Sequence, residues 1–291
     1  MYFEIDSWIP HELAPFLAKG KEPRVFEGIE GERLRTVKLR GQISQGLLLP
    51  HDIVWDKNMF DFNRFEEGDD VTELLGIQKW EAPLSAQLAG VARGNFPSFI
   101  RKTDQERIQN LKREIQEYIG DAFVVEEKLD GSSMTVYLYD GEFGVCSRNL
   151  NLKESEDNTF WKVARELNLE AKLSSLGRNI AFQGELIGPG IQKNPYKLVT
   201  HEFHIFDVYD IHESKYLDPS SRRKIVDGIG LINVPMIVEY YSLPTTIDEI
   251  LNVAAGKSLL SLGVDREGVV IKHMYKQFSF KAISNEWLLR N

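Results

Sequence analysis

Lys128 stands at the end of an apolar stretch and is followed at once by a turn, in the run Glu126-Glu127-Lys128-Leu129-Asp130-Gly131-Ser132-Ser133. A lysine at a strand end beside a tight turn can reach a ligand in a cleft walled by sheet. Its amine becomes a nucleophile only after losing the proton it holds at an ordinary pKa of about 10.4. The pattern Lys-x-Asp-Gly alone is weak, since chance places it in about one chain of this length in fifteen, and a surface lysine before a β-turn gives the same four residues. Further chemistry-bearing stretches follow in order. They are Ser147-Arg148-Asn149, Phe182-Gln183-Gly184-Glu185, His204-Ile205-Phe206-Asp207-Val208, Arg266-Glu267-Gly268-Val269-Val270-Ile271-Lys272 and Ser279-Phe280-Lys281. Each has a plain reading as core aromatic or solvated strand end. Their joint occurrence is far more specific than any one.

These side chains need a sheet to carry them. Apolar and alternating runs predict strands over 123–128, 135–139 and 143–147, the last two joined by a turn at Asp140-Gly141. Further strands are predicted near 180–187, 203–210, 236–241, 267–273 and 278–283, and helices near 158–168, 220–228 and 246–255. A helix over 104–119 is also predicted, capped by Thr103 or Asp104, with Ile108, Leu111, Ile115 and Ile119 on one face and Gly120 as its stop. Strands paired locally among a few helices give an α+β fold with antiparallel sheets. Residues 1–55 are β-rich, with strands near 2–5, 34–40 and 47–49, as in part of a small barrel. The acid-rich stretch from 56 onward looks like a solvated linker.

Taken in order, the chemistry-bearing stretches resemble the motifs of the covalent lysyl nucleotidyltransferases, the superfamily of ATP-dependent DNA and RNA ligases and mRNA capping enzymes. Lys128 and its turn resemble the nucleophile motif, Ser147–Asn149 the next, Phe182–Glu185 the third, the strand with Phe206 the third-a, Arg266–Lys272 the fourth and the region of Lys281 the fifth. The resemblance covers about residues 75–291. The stretches GIQKWEAP, FPSFIRKTDQERIQN and SFKAISNEWLL are similar to the RNA ligase family that carries an OB-fold module ahead of its nucleotidyltransferase domain. YFEIDSWIP and LRTVKLRGQISQGLLLP resemble the later strands of that module. The implied organisation is a partial OB-fold-like module at 1–55, an acidic linker at 56–74 and an adenylyltransferase domain with an ATP-grasp-like ligase core at 75–291.

The resemblance implies three steps: attack of Lys128 on the α-phosphorus of ATP, transfer of AMP to a 5′-phosphate, and displacement of AMP by a 3′-OH. It implies that Glu126 with neighbouring backbone meets the adenine edge, that Arg148 contacts phosphate or ribose and Glu185 the ribose hydroxyls, that Phe206 stacks on adenine, and that Lys272 and Lys281 contact the α-phosphate. Carboxylates near Lys128 oppose loss of its proton unless a cation neutralises them. That points to Mg2+ or Mn2+ at Asp130 and Glu267, with a share for Glu185 and a secondary one for Asp207 and Asp210. No Walker-type glycine loop is present, so side chains must hold the phosphates. Thr103, Asp104, Arg107 and Asn110 either face the nucleotide or strand end or belong to an ordinary capped helix. The chain departs from the family in two places. Ser279 stands where the fifth motif usually has its first lysine, with Lys276 nearby in sequence, and the OB-like module is expected to be short of its first strands, through either a truncated start or a reduced module.

Composition limits the partners. The 291 residues are 42% hydrophobic and 27% charged, as in a globular protein, with a net charge of −9. Nucleic-acid contact must therefore come from a local basic groove, to which Arg35, Lys38 and Arg40 could add phosphate contacts or merely a solubilising face. The expected partner is nicked duplex RNA or an RNA-containing strand end. No apolar run approaches the roughly 18 residues of a membrane span, so no membrane partner is expected. A single cysteine and an acidic start without a signal pattern give a cytoplasmic setting as the default. Nothing in the motifs specifies an oligomeric state. DNA ligases and capping guanylyltransferases usually carry an OB domain after the core, whereas only ten residues follow Lys281. The other alternative is a non-catalytic nucleic-acid-binding protein on a ligase core.

Overall fold

The computed structural model describes residues 1–4, 6–35, 37–39, 42–44, 46–50, 68–80 and 90–289. Its contacts divide the chain into two units, Met1–Pro83 and Leu84–Asn291. Among the described residues, no helix is long and apolar enough to cross a membrane.

The first unit is built from short strands: β1 (Tyr2–Glu4), β2 (Ser7–Pro10), β3 (Arg24–Phe26), β4 (Ile29–Arg33), β5 (Val37–Leu39), β6 (Gln42–Ser44), β7 (Gly46–Leu48) and β8 (Gln78–Lys79). They form a four-stranded sheet in the order β3-β4-β2-β8 and the pairs β1-β7 and β5-β6. Phe3, Ile9, Ala14, Leu34 and Leu75 make its core. Arg33 lies over the ring of Trp80, 3.7 Å from the centroid, and bonds Asp6. The expected start of the second domain, residue 75, thus falls inside this unit, because Leu75 is in its core and β8 pairs with β2. Of the expected basic strand at 34–40, Arg35 is exposed and outside any strand, and Arg40 and the side chain of Lys38 lie outside the described residues. So do residues 56–67 of the expected linker.

The second unit opens with β9 (Ala92–Asn95), β10 (Glu106–Arg107), β11 (Ala122–Lys128), β12 (Ser132–Tyr139), β13 (Glu142–Ser147), β14 (Leu150–Leu152), α1 (Thr159–Glu166) and α2 (Leu169–Ser174). It continues with β15 (Ile180–Ile187), β16 (Glu202–Asp210), β17 (Lys215–Tyr216), α3 (Pro219–Gly228), β18 (Ile232–Asn233), β19 (Met236–Ser242), α4 (Ile247–Ala254), β20 (Gly268–His273), β21 (Ser279–Ile283) and α5 (Asn285–Leu288). Five strands form one sheet in the order β10-β21-β20-β11-β19. Eight form the other, in the order β17-β16-β15-β12-β13-β14-β9 with β18 paired to β16. Almost every pairing is antiparallel, which makes the fold α+β. Asp140 and Gly141, with φ of 49° and 80°, supply the two left-handed residues that a two-residue hairpin turn requires between β12 and β13.

Local chemistry sets the helix starts. Asn158 caps α1 by accepting from the N–H groups of Phe160 and Trp161, Asp218 caps α3 ahead of Pro219, and Thr246 caps α4. The apolar faces of α1 and α2 bury Trp161, Val163 and Leu173 against Val136, Val145 and Phe182 of the large sheet. The smaller sheet has its own core around Phe123, Ile250, Val269, Ile271 and Phe280.

The helix expected at 104–119 does not form. Thr103 and Asp104 cap nothing. Glu106 and Arg107 extend as a strand paired in parallel with Phe280 and Lys281, and only two 3-10 turns follow, at Ile108–Asn110 and Glu114–Tyr118. Neither turn has a side-chain cap. The spacing was still informative, since Ile108 and Ile115 are both buried in the smaller sheet's core. Burial of those residues is satisfied without a continuous helix, while β10 completes the sheet edge.

Candidate active site

Lys128 ends β11, and the chain turns through Leu129, Asp130 and Gly131 into β12. Gly131 is required there, because a Cβ would lie 2.5 Å from the carbonyl oxygen of Leu186 and 2.6 Å from Ile187. The turn therefore sits against β15, and Lys128 opens into a cavity of about 690 Å³. Both sheets line it. The smaller contributes Lys128, Val270, Lys272 and Lys281, and the larger contributes Ser133, Glu185, Phe206 and Asp207. Such a volume is ample for a nucleotide.

Pairing of β11 with β20 places Lys128 opposite Gly268, next to Glu267. The Lys128 ammonium donates to Glu267 Oε2 at 2.6 Å. Burial raises the Glu267 carboxyl pKa, with Lys128 opposing and Asp130 adding to the shift. Burial also raises Asp130, again opposed by Lys128. Glu185 is pushed up to about 8 by burial, and its neighbours Glu267 and Asp130 reinforce the shift against Lys128. Lys281 shifts the other way, down, through burial and the cations Lys128 and Arg107. The cavity thus holds three under-neutralised carboxyls beside a lysine.

One side of its wall is a buried ionic nest that includes Glu126, Asp207 and Lys272. Glu126 is 1% exposed, and its carboxylate accepts from the Arg222 guanidinium through both oxygens and from Arg223 at 2.9 Å. Burial opposes its ionisation, but Arg222, Lys272 and Arg223 outweigh that and hold its pKa at about 2. Lys272 donates to Asp207 Oδ1 at 2.6 Å and to the carbonyl oxygen of Phe206, and lies 3.7 Å from Glu126. The carboxylate expected at the adenine edge is therefore engaged by three cations. Asp207 serves as the counter-ion of Lys272. Asp210 pairs with Arg178 at 3.4 Å and is not in the cavity wall.

The neighbouring residue has what Glu126 lacks. Glu127 is 2% exposed and lines the cavity. Its Oε2 accepts from the Leu259 N–H at 2.8 Å, while its buried Oε1 has no partner. A buried orphan acceptor in a ligand-sized cavity suits a donor brought by the ligand. One signal for it is present in the chain, its place immediately before the lysine. Arg222 and Arg223 were missed because an arginine pair on an amphipathic helix reads as surface.

The remaining expected residues divide clearly. Arg148 lines the cavity and pairs with Asp104 at 2.6 Å, both well exposed. Thr103, Asp104 and Arg107 line it as well. Asn110 is not in the wall and instead donates to Glu106. Ser279 donates to Gln105 Oε1 at 2.7 Å, tying β21 to the segment before β10. Lys276 is exposed and paired with Asp121, so it does not replace the missing lysine in the cavity. Arg107 stands beside Lys281 across the β10–β21 pairing.

Among the described residues, no group of three or more His, Cys, Asp or Glu side chains is placed to hold a metal ion. The donor chemistry still suits one. Asp130, Glu185 and Glu267 are hard oxygen donors with upward-shifted pKa values, and the charge of a divalent cation would relieve that cost.

A family profile described as RNA ligase matches residues 121–283, and an OB-fold domain profile matches residues 1–51. No curated protein matches. Solved structures of Naegleria gruberi RNA ligase do. A mutant with ATP and Mn, the protein with PPi, and another mutant with AMP and Mn are each 46% identical, with a TM-score of 0.67. Each alignment covers 100% of this chain and 86% of that chain.

Proposed function

The chain belongs to the RNA ligase family, and on that footing we propose that it is an ATP-dependent enzyme joining 5′-phosphate and 3′-OH ends of RNA through AMP carried on Lys128. The observation that carries this reading is the Lys128 amine opening into a nucleotide-sized cavity beside Phe206 and Glu267. The Lys128 amine attacks the α-phosphorus, a P–N bond forms, and pyrophosphate leaves. AMP then passes to the RNA 5′-phosphate oxygen, and attack by the 3′-OH expels it as the phosphodiester closes.

The chain's own residues have separable tasks. Phe206 stacks on the adenine, and the free Oε1 of Glu127 accepts from its exocyclic amine. This gives Glu127 the base-edge role first assigned to Glu126, whose carboxylate is committed to Arg222 and Arg223. Glu126 instead anchors the strand that carries Lys128. Glu185 meets the ribose hydroxyls. Lys281, with Arg107 beside it and Arg148 at the rim, balances phosphate charge. Lys272 can contribute only within its pairing to Asp207. Asp130, Glu185 and Glu267 would hold Mg2+ or Mn2+, which supplies charge neutralisation when bound.

The domain reading is an OB-like module in the N-terminal unit and an adenylyltransferase domain in the C-terminal one. The substrate is a nicked duplex or other RNA-containing strand end, and the setting is the cytoplasm, which a chain with one cysteine tolerates. A panel of 5′-phosphorylated nicks with ribose or deoxyribose at the 3′-OH tests the function. Sealing of the ribose-ended nicks with ATP, and none with GTP, is expected. Sealing confined to deoxyribose ends, or dependent on GTP, would overturn it.

A further inference from the structure

Between β15 and β16 the chain makes a loop, residues 188–201, that no motif above includes. Four of its non-glycine residues, Gln192, Lys193, Asn194 and Lys197, have φ between 43° and 58°. Left-handed backbone at such residues persists only where surrounding contacts over-determine it, and it gathers at functional sites. Here the bracing is visible. The Asn194 side chain both donates to the Leu198 carbonyl at 2.8 Å and accepts from the Leu198 N–H at 3.0 Å. The His201 ring lies 2.8 Å from the carbonyl oxygen of Pro189.

The braced loop is fastened to the turn after Lys128. The Asp130 N–H donates to the Tyr196 hydroxyl oxygen at 2.7 Å, and the Gln192 amide donates to the Gly131 carbonyl at 3.3 Å. Tyr196 is 6% exposed and packs in one cluster with Leu129, Ile187 and Val234, against which Phe206 also rests. On its other side, Gly131 is pressed against Leu186 and Ile187. The turn is thus held between β15 and the loop, and one side chain touches both the turn and the cluster that supports Phe206.

We propose that this loop, through Tyr196 and Gln192, fixes the turn that aims Lys128, and that Tyr196 is a positioning residue for AMP transfer to Lys128. The inference rests on the reaction proposed above and adds to it a part of the chain outside the motifs. A nucleophile displaced by a fraction of an ångström loses rate while the nucleotide still binds, so the signature is a fall in kcat without a matching change in KM.

The test is single-turnover formation of the lysine–AMP adduct across ATP concentrations in the full chain, its maximal rate constant taken as kcat and its half-saturating ATP concentration as KM, with Tyr196→Phe, Gln192→Ala and wild type in parallel and thermal melting measured for each. Tyr196→Phe keeps the ring and removes only the acceptor. It is expected to melt near the wild type, to lose about tenfold in kcat and to change KM for ATP by less than about threefold. Gln192→Ala, at an exposed position, is expected to lose about threefold in kcat and carries the test if Tyr196→Phe does not fold. Wild-type kcat in the folded variants, or a loss confined to KM, would overturn the inference alone. Absence of adduct from the wild type would instead overturn the proposed reaction and the inference with it.

Discussion

The ammonium of Lys128 and the carboxylate of Glu267 meet at 2.6 Å although 139 residues separate them. Antiparallel pairing of β11 with β20 brings them together. An ammonium donating to a carboxylate has no lone pair with which to attack phosphorus. Charge on Glu267 must therefore be met by another cation before the amine is free. Glu267→Gln is expected to slow adduct formation about 100-fold or more and to raise the Mn2+ concentration needed for half-maximal rate. A rate series across Mn2+ concentrations checks this. An unchanged midpoint would remove Glu267 from the metal-binding set.

The Glu126–Arg222 pair gives a stability prediction with a definite sign. Glu126 has a pKa of about 2 in the folded protein and an ordinary value of 4.5. Its contribution is therefore present above about pH 4.5 and is lost as pH falls from there toward 2. Glu126→Gln leaves Arg222 buried with reduced compensation and is expected to cost ~3–5 kcal/mol at neutral pH. Denaturant titrations at several pH values should show the gap between wild type and variant closing below pH 4.5. A gap that stays constant down to pH 2 would show that the pair is not the source.

Much of this arrangement was legible in the chain. The strands carrying Lys128, Glu185, Phe206, Lys272 and Lys281 follow from apolar and alternating runs, since each buries at least one face. The segment at 104–119 misled because Ile108 and Ile115 have helical spacing, yet an edge strand captured its first residues. The division between Glu126 and Glu127 was not legible either. Adjacent residues on a strand point to opposite sides, and only the partners show which carboxylate is satisfied. Arg222 and Arg223 lie almost a hundred residues from Glu126, so no local pattern links them.

Glu127 should govern which base is accepted. Its free Oε1 suits an amino group, and a carbonyl at the same place would face an acceptor with an acceptor. Glu127→Gln can keep the bond from Leu259 while offering a donor where the free oxygen was. The kcat/KM for ATP is expected to fall about 5- to 150-fold, a loss of ~1–3 kcal/mol, with ATP losing more than GTP. Adduct assays with both nucleotides measure this. Equal losses for the two would show that the side chain does not read the base.

Phe206 should act on binding more than on chemistry. Phe206→Leu keeps the cluster around Leu129 and Tyr196 filled but removes the aromatic face. The expected change is a rise in KM for ATP of about tenfold with kcat within about threefold. Single-turnover rates of adduct formation across ATP concentrations decide it. A kcat loss at unchanged KM would assign Phe206 to positioning of the reacting groups.

The most direct measurement is intact-protein mass spectrometry after incubation with ATP and Mg2+ or Mn2+, followed by peptide mapping. Wild type is expected to gain the mass of one AMP, on the peptide containing Lys128, and Lys128→Met to gain none while remaining folded. A wild type that never gains that mass, or an adduct mapped to another side chain, would contradict the role given to Lys128.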